Sequence, residues 1–359
     1  MWPERGRRFA IILDTVIMRS APRGSRLVAQ QSLLSTALDA ACSWGCTGHY
    51  REHKRRSGRG LPVERIILGK PSVTTFIAVS NRRGGVGKTT VTMMLAYGLS
   101  VARRQKVLVI DLDAQASTSI VLMGHERWHA ARQANRTACG LLTEIAQNQA
   151  IKYGDFVAHE IGDVKLADGR RPTLDVIPSA HDLDDKEALM MIAQQAFYHK
   201  ISDAFVQMQE RMRQTIRAME GAYDQVIIDC APGLSQLVWG ALRAADLIFI
   251  PYVPDRTAED NVGWLAERLK VLRLPKFFTV ANRVSGQDNR AQGIVSAISN
   301  KYRPLGIQIP AAQALANALD YRDQTGTLAS KFGSAAQHVN ALADAALNAI
   351  NRPMVMAAE

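Results

Sequence analysis

At 359 residues, 47% of them apolar, the chain has room for one large α/β domain with an extension, or for two domains. Residues 9–18 form its best apolar run, which carries Asp14 and is about half of the roughly 20 residues that a membrane span needs, with no clean small-residue cleavage pattern behind it. Four cysteines in a chain this size do not suggest a disulfide framework, which makes a reducing cytoplasm the default, and the net charge of +11 sits mostly at the start: residues 1–70 hold 13 Lys/Arg against 5 Asp/Glu, the remainder 31 against 28.

Residues 1–71 read as a basic, poorly patterned N-terminal extension, with a strand over 9–17 and a helix over 28–42. Residues 51–60 (REHKRRSGRG) form a basic, glycine-containing linker. Cys42, Cys46, His49 and His53 are the ligand types that zinc takes. Two residues between the cysteine pair and the histidine pair leave too little chain for a tetrahedral site, so they read as unrelated. The segment fits both an over-extended start of translation and a DNA-binding arm, and the two stay open.

From residue 72 the pattern turns regular. Residues 76–90 read FIAVSNRRGGVGKTT. The first four form a short apolar strand buried on both faces. Gly84, Gly85, Val86 and Gly87 follow, then Lys88, Thr89 and Thr90, and then Met93, Met94, Leu95, Tyr97 and Leu99 at helical spacing. Strand, glycine-rich turn and helix make the setting of a phosphate-binding loop. Glycines let backbone N–H groups curl round an anion, and the helix N-terminus adds its positive dipole end. Lys88 would reach the β- and γ-phosphates, and Thr89 would place its hydroxyl on Mg²⁺. The strict P-loop pattern asks for glycine where Arg82 stands.

Residues 107–110 are a second buried strand, ending in Asp111-Leu112-Asp113. Two carboxylates at the carboxyl end of a strand stand where an open α/β sheet does its chemistry. One can orient an attacking water and the other hold a basic residue or a metal-bound water; either could instead be a helix N-cap. Residues 125–169 are polar and less regular, a peripheral helical region with loops. A short strand at 174–178 (LDVIP) precedes a long helical stretch over 183–219, broken near Tyr198, whose methionines read as core fillers. Residues 223–233 (YDQVIIDCAPG) have the form of a Walker B strand, with Asp229 holding Mg²⁺ and the turn at 231–233 sensing the γ-phosphate. Cys230 reads as a small buried hydrophobe. A strand at 245–251, a helix over 257–273 and a strand at 277–281 come next. Asn282, at the end of that strand, can present a donor and an acceptor to an adenine edge, or be a turn residue. A short strand at 308–310 and an alanine-rich amphipathic helix over 333–350 follow, the helix lacking the basic face of a membrane anchor. Strands alternating with helices over 72–351 predict an α/β fold, a doubly wound, mostly parallel sheet, with 352–359 as a tail.

Five motifs in order, RGGVGKTT (83–90), VLVIDLDAQAS (107–117), LDVIPS (174–179), YDQVIIDCAPG (223–233) and ADLIFIP (245–251), carry a resemblance. Over residues 73–350 the chain resembles the ParA/Soj partition ATPases, P-loop NTPases of the deviant Walker A type that includes MinD. A basic residue directly before GGxGK[ST] marks that group. Arg82, the Asp-Leu-Asp-Ala-Gln run and the lack of a membrane helix lean towards ParA. The resemblance implies a Mg²⁺-dependent ATPase in which two subunits sandwich two ATP molecules. Arg83 stands where the family's signature lysine contacts phosphates across the dimer, keeping the charge with a different geometry. Lys88 and Thr89 would bind phosphate and Mg²⁺, Asp113 position the water, Asp111 support the basic residue, Asp229 hold the metal and Asn282 meet the adenine. The family's ATP dimers bind DNA non-specifically, which nominates Arg268, Lys270, Arg273, Lys301 and Arg303, and a ParB-like centromere-binding partner would stimulate hydrolysis. Its expected place is the cytoplasm, at the nucleoid. Two alternatives remain: an ATPase that positions a protein machine or organelle without DNA, and a slow nucleotide switch in which Arg83 has displaced the lysine.

Overall fold

The computed structural model describes residues 74–147, 151–195, 200–274 and 276–351. The N-terminal extension with its strand, helix and Cys/His set, the tail and the break near Tyr198 lie outside the described residues.

Seven strands build one sheet: β1 (Thr75–Val79), β2 (Val107–Leu112), β3 (Leu174–Ile177), β4 (Gln225–Cys230), β5 (Leu247–Tyr252), β6 (Lys276–Val284) and β7 (Pro304–Pro310). Their order is β3-β2-β4-β1-β5-β6-β7, and every neighbouring pair is parallel. The reason lies in composition. Strands β2, β4 and β5 read VLVIDL, QVIIDC and LIFIPY and are buried at every position, as a sheet covered on both faces requires. Strand β7, at the edge, mixes exposed and buried residues.

The covering helices are α1 (Lys88–Tyr97), α2 (Ser117–Gln133), α3 (Ala138–Gln147), α4 (Leu183–Gln195), α5 (Ile201–Arg217), α6 (Gln236–Ala244), α7 (Ala258–Val271), α8 (Asn289–Lys301), α9 (Gln313–Asn317), α10 (Leu328–Phe332) and α11 (Ala336–Asn351). Helix α2 starts well before the polar region read at 125–169 and bends at Gly124, where φ is +77° and a Cβ would lie 2.9 Å from the Tyr321 ring. Helices α6 and α8 fall where no helix is read from the sequence. Among the described residues no helix is long and apolar enough to cross a membrane.

Helix α1 is buried almost throughout, in one core with Val339, Leu342, Ala343 and Ala346 of α11. At Gly98, just past α1, a Cβ would lie 2.8 Å from Val339 O and 2.9 Å from Ala343 Cβ, so the backbones meet only because that residue has no side chain. A buried ion pair, Lys331 Nζ to Asp163 Oδ2 at 2.5 Å, ties α10 to the segment ahead of β3, and Tyr97 OH donates to the other Asp163 oxygen at 2.6 Å.

The topology places the site. Because β4 lies between β1 and β2, the chain leaving β1 runs along the ends of β4 and β2. Val79 of β1 is in register with Asp229 of β4, and Asp229 with Asp111 of β2. Loop and both carboxylates therefore converge on one end of the sheet, the carboxyl end, where open α/β folds bind ligands.

Candidate nucleotide site

The loop between β1 and α1 owes its shape to two left-handed glycines, Gly85 at φ +73° and Gly87 at φ +93°. Asn81 holds its base: Nδ2 donates to Pro251 O at 2.8 Å and Oδ1 accepts from Arg83 N at 3.0 Å. Buried Asn282 braces its crown, donating from Nδ2 to Val86 O at 2.9 Å. That nitrogen occupies the space a Gly87 side chain would need, 1.9 Å from an ideal Cβ. The carboxamide predicted to meet a base thus has its donor on the loop. Gly233, in the turn after β4, donates its N–H to Arg82 O at 2.9 Å, so the 231–233 turn touches the loop directly.

Lys88, the first residue of α1, is buried, with Nζ donating to Arg83 O at 3.2 Å. Burial lowers its pKa, and the charges of Asp229 and Asp113 pull it back up. The Asp111 carboxylate makes its hydrogen bonds within its own segment: Oδ1 accepts from Asp113 N (3.1 Å), and Oδ2 from Ser119 N (2.9 Å) and Ser119 Oγ (2.6 Å). The carboxylate read as a partner of the basic residue instead holds the turn after β2 and the start of α2.

Asp229 Oδ2 accepts from Thr89 Oγ1 at 3.2 Å and from Thr118 Oγ1 at 2.5 Å, while its Oδ1 is buried with no partner. A threonine hydroxyl beside an orphaned carboxylate oxygen is a hard-oxygen donor set that fits Mg²⁺, which takes one or two protein ligands and completes its shell with phosphates and water. Among the described residues no cluster of three His, Cys, Asp or Glu side chains offers an all-protein cage. Burial pushes Asp229 up to about 6 and Asp111, next to it in register, up to about 7; at Asp111 the neighbouring charge of Asp229 adds to the rise. Cys230 is fully buried and its thiol is pushed up to about 12, as fits a small core residue.

The two arginines of the loop point into α7 and its approach. Arg83 Nη1 pairs with Asp255 Oδ2 at 2.5 Å and donates to Thr257 Oγ1 at 2.7 Å. The Arg82 guanidinium lies 5.1 Å from the Trp264 ring centre, and Arg268 sits 5.4 Å from the same ring. The other basic residues nominated for DNA gather about α7 and the end of α8, and several have local partners. Lys270 pairs with Glu267 at 2.9 Å, Lys301 with Glu259, and Arg303 stacks 5.1 Å from the Phe278 ring centre. Arg273 ends the α7 turn at φ +49°.

Sequence reasoning missed Thr118, Ser119 and Asn81. A Ser-Thr-Ser run at the start of α2, directly behind a carboxylate pair, was the available signal for the first two.

An AAA domain family model matches residues 74–276. The chromosome partitioning protein ParA of Caulobacter vibrioides is 33% identical over 197 residues, covering 55% of this chain and 62% of that protein. The chain spans about three fifths of the length of the curated relatives it matches first. Among solved structures, the ATP complex of a Cyanothece McdA variant superposes with a TM-score of 0.58 at 18% identity, covering 79% of this chain and 98% of that one. Cobyrinic acid a,c-diamide synthase from Mycobacterium smegmatis, with a bound ATP analogue and magnesium, gives 0.56 at 19% identity over 77% and 95%.

Proposed function

From a chain that belongs to the AAA domain family, in its ParA/MinD-type branch, we infer a Mg²⁺-dependent ATPase of DNA partition that dimerises on ATP. The observation carrying this reading is the Thr89–Asp229 contact, with an unpartnered carboxylate oxygen, beside a loop shaped by two left-handed glycines. The loop N–H groups and the start of α1 would cradle the phosphates, and Lys88 would neutralise charge between β and γ. Thr89 and Asp229 would hold Mg²⁺, which supplies charge neutralisation at the phosphates. Asp113 would orient the water that attacks the γ-phosphorus as the bond to the ADP oxygen breaks. Asn282, braced on Val86, would reach adenine through its carbonyl oxygen. Arg83 would reach phosphate across a dimer after leaving Asp255.

The partition role adds non-specific DNA contacts through Arg268, Lys270, Arg273, Lys301 and Arg303, a ParB-like activator, and a place at the nucleoid in the cytoplasm. DNA contact of this kind is steeply salt-dependent. The test is phosphate release together with retention on non-specific DNA, measured with ATP, ADP and no nucleotide across a salt series. ATP-selective, low-salt retention with slow release is expected; retention indifferent to nucleotide would sink the DNA role.

A second reading has its own support. Lys270 and Lys301 are paired with acidic neighbours and Arg268 and Arg303 lie on rings, which suits an ATPase that positions a protein machine through protein contacts. Tight ATP dimerisation with no DNA shift would favour it. The Arg83–Asp255 pair also suits a slow switch, and the same assay with Arg83→Lys separates it by a large rise in phosphate release.

A further inference from the structure

Asp113 stands on the tight turn between β2 and α2, and that turn is gripped at both polar ends of a single peptide unit. Gln115 N donates to Asp113 Oδ1 at 2.9 Å, and Ala116 N donates to Asp113 O at 2.8 Å, with Ala116 left-handed at φ 52°. The carbonyl of the Ala114–Gln115 peptide faces the other way, and His181 Nδ1 lies 2.9 Å from Ala114 O. A carbonyl oxygen can only accept, so Nδ1 carries the hydrogen and donates. One end of this peptide plane is held by His181, and the other end holds the Asp113 carboxylate.

The histidine is itself placed by its neighbours. Trp128 of α2 donates Nε1 to Ser179 O at 2.9 Å, and its ring stands edge-on, 5.1 Å from the His181 ring. Two residues before the histidine, Ser179 N donates to Ser119 Oγ at 2.8 Å, the hydroxyl that donates to Asp111 at 2.6 Å. The segment following β3 thus fastens both the turn carrying Asp113, through His181, and the start of α2 behind it, through Ser179.

We propose that His181 is a positioning residue for hydrolysis: by fixing the Ala114–Gln115 peptide plane it sets the direction of the Asp113 oxygen that Gln115 leaves unengaged. The proposal rests on the reading of Asp113 as the group that orients the attacking water. Without His181 that peptide can rotate, and the carboxylate rotates with it; a misplacement of about 1 Å in a reacting group costs on the order of a hundredfold in rate. The contact that His181 makes is with the turn, not with α1 or β4, the elements read as binding nucleotide and metal.

The experiment is steady-state phosphate release and nucleotide affinity for the full chain and its Asp113→Ala, His181→Ala and His181→Asn variants. His181→Ala is expected to lower kcat by roughly 10- to 100-fold, with KM for ATP and ADP affinity unchanged. His181 is exposed, so the melting temperature should hold. Asparagine can donate from near the Nδ1 position and should restore most of the rate. Unchanged kcat in His181→Ala beside an inactive Asp113→Ala overturns the proposal while leaving the role of Asp113 standing. Equal loss in both His181 variants, or a loss confined to KM, also overturns it. Full turnover in Asp113→Ala removes the underlying reading instead.

Discussion

A methyl group on Gly87 would meet Asn282 Nδ2 at 1.9 Å, whereas one on Gly85 would meet nothing within 4 Å. Both residues are left-handed, so both alanine variants carry backbone strain of about 1–2 kcal/mol. Gly87→Ala must also push Asn282 off Val86 and unlatch the loop. It is expected to lose at least about tenfold in nucleotide affinity, beyond the roughly 10-fold that the strain alone could account for, while Gly85→Ala loses at most that strain-sized share; nucleotide titration and thermal melting of the pair check this. The residues whose chemistry is local, namely the glycines, Lys88, Thr89 and Asp229, were readable because their spacing along the chain is itself the signal. Thr118, Ser179 and His181 were not. Their partners lie 111, 60 and 67 residues away, and no periodicity encodes contacts between chain segments so far apart in sequence.

At the scale of elements, every strand read from an apolar run within 72–351 is present, because a strand buried on both faces must be continuously apolar. Helices α6 and α8 escaped notice because α6 spans only nine residues and α8 is rich in small and polar ones, so that an amphipathic stripe is carried by few apolar side chains. The tie between α10 and the segment ahead of β3 was equally hidden, since Lys331 and Asp163 are separated by 168 residues. Both side chains are almost wholly buried, and burial lowers the Lys331 pKa while Asp163 opposes that shift. Lys331→Met would leave a buried carboxylate with only Tyr97 OH and Arg322 N as donors. It is expected to cost about 3–5 kcal/mol in urea unfolding. Asp163→Asn added to it should recover part of that loss by removing the uncompensated charge.

For the molecule as a whole, the two adjoining carboxylates make stability depend on pH. Both are raised above the ordinary carboxylate value by burial, so their stabilising contribution is complete below about 3.8 and is lost as pH rises through about 6 and about 7. The nucleotide-free protein should therefore melt several degrees lower at pH 8 than at pH 5.5, and Asp229→Asn should flatten that slope. A slope unaffected by Asp229→Asn would assign it to other groups. The close seating of α11 against Gly98 reaches beyond the folded state, into biosynthesis. Helix α1 ends at Tyr97 and α11 begins at Ala336, so a ribosome adding about 5–20 residues per second needs on the order of ten to fifty seconds between them. Through that interval the face of the phosphate-loop helix that α11 covers in the folded protein stays without its native partner, an apolar surface open to non-native contacts until α11 emerges.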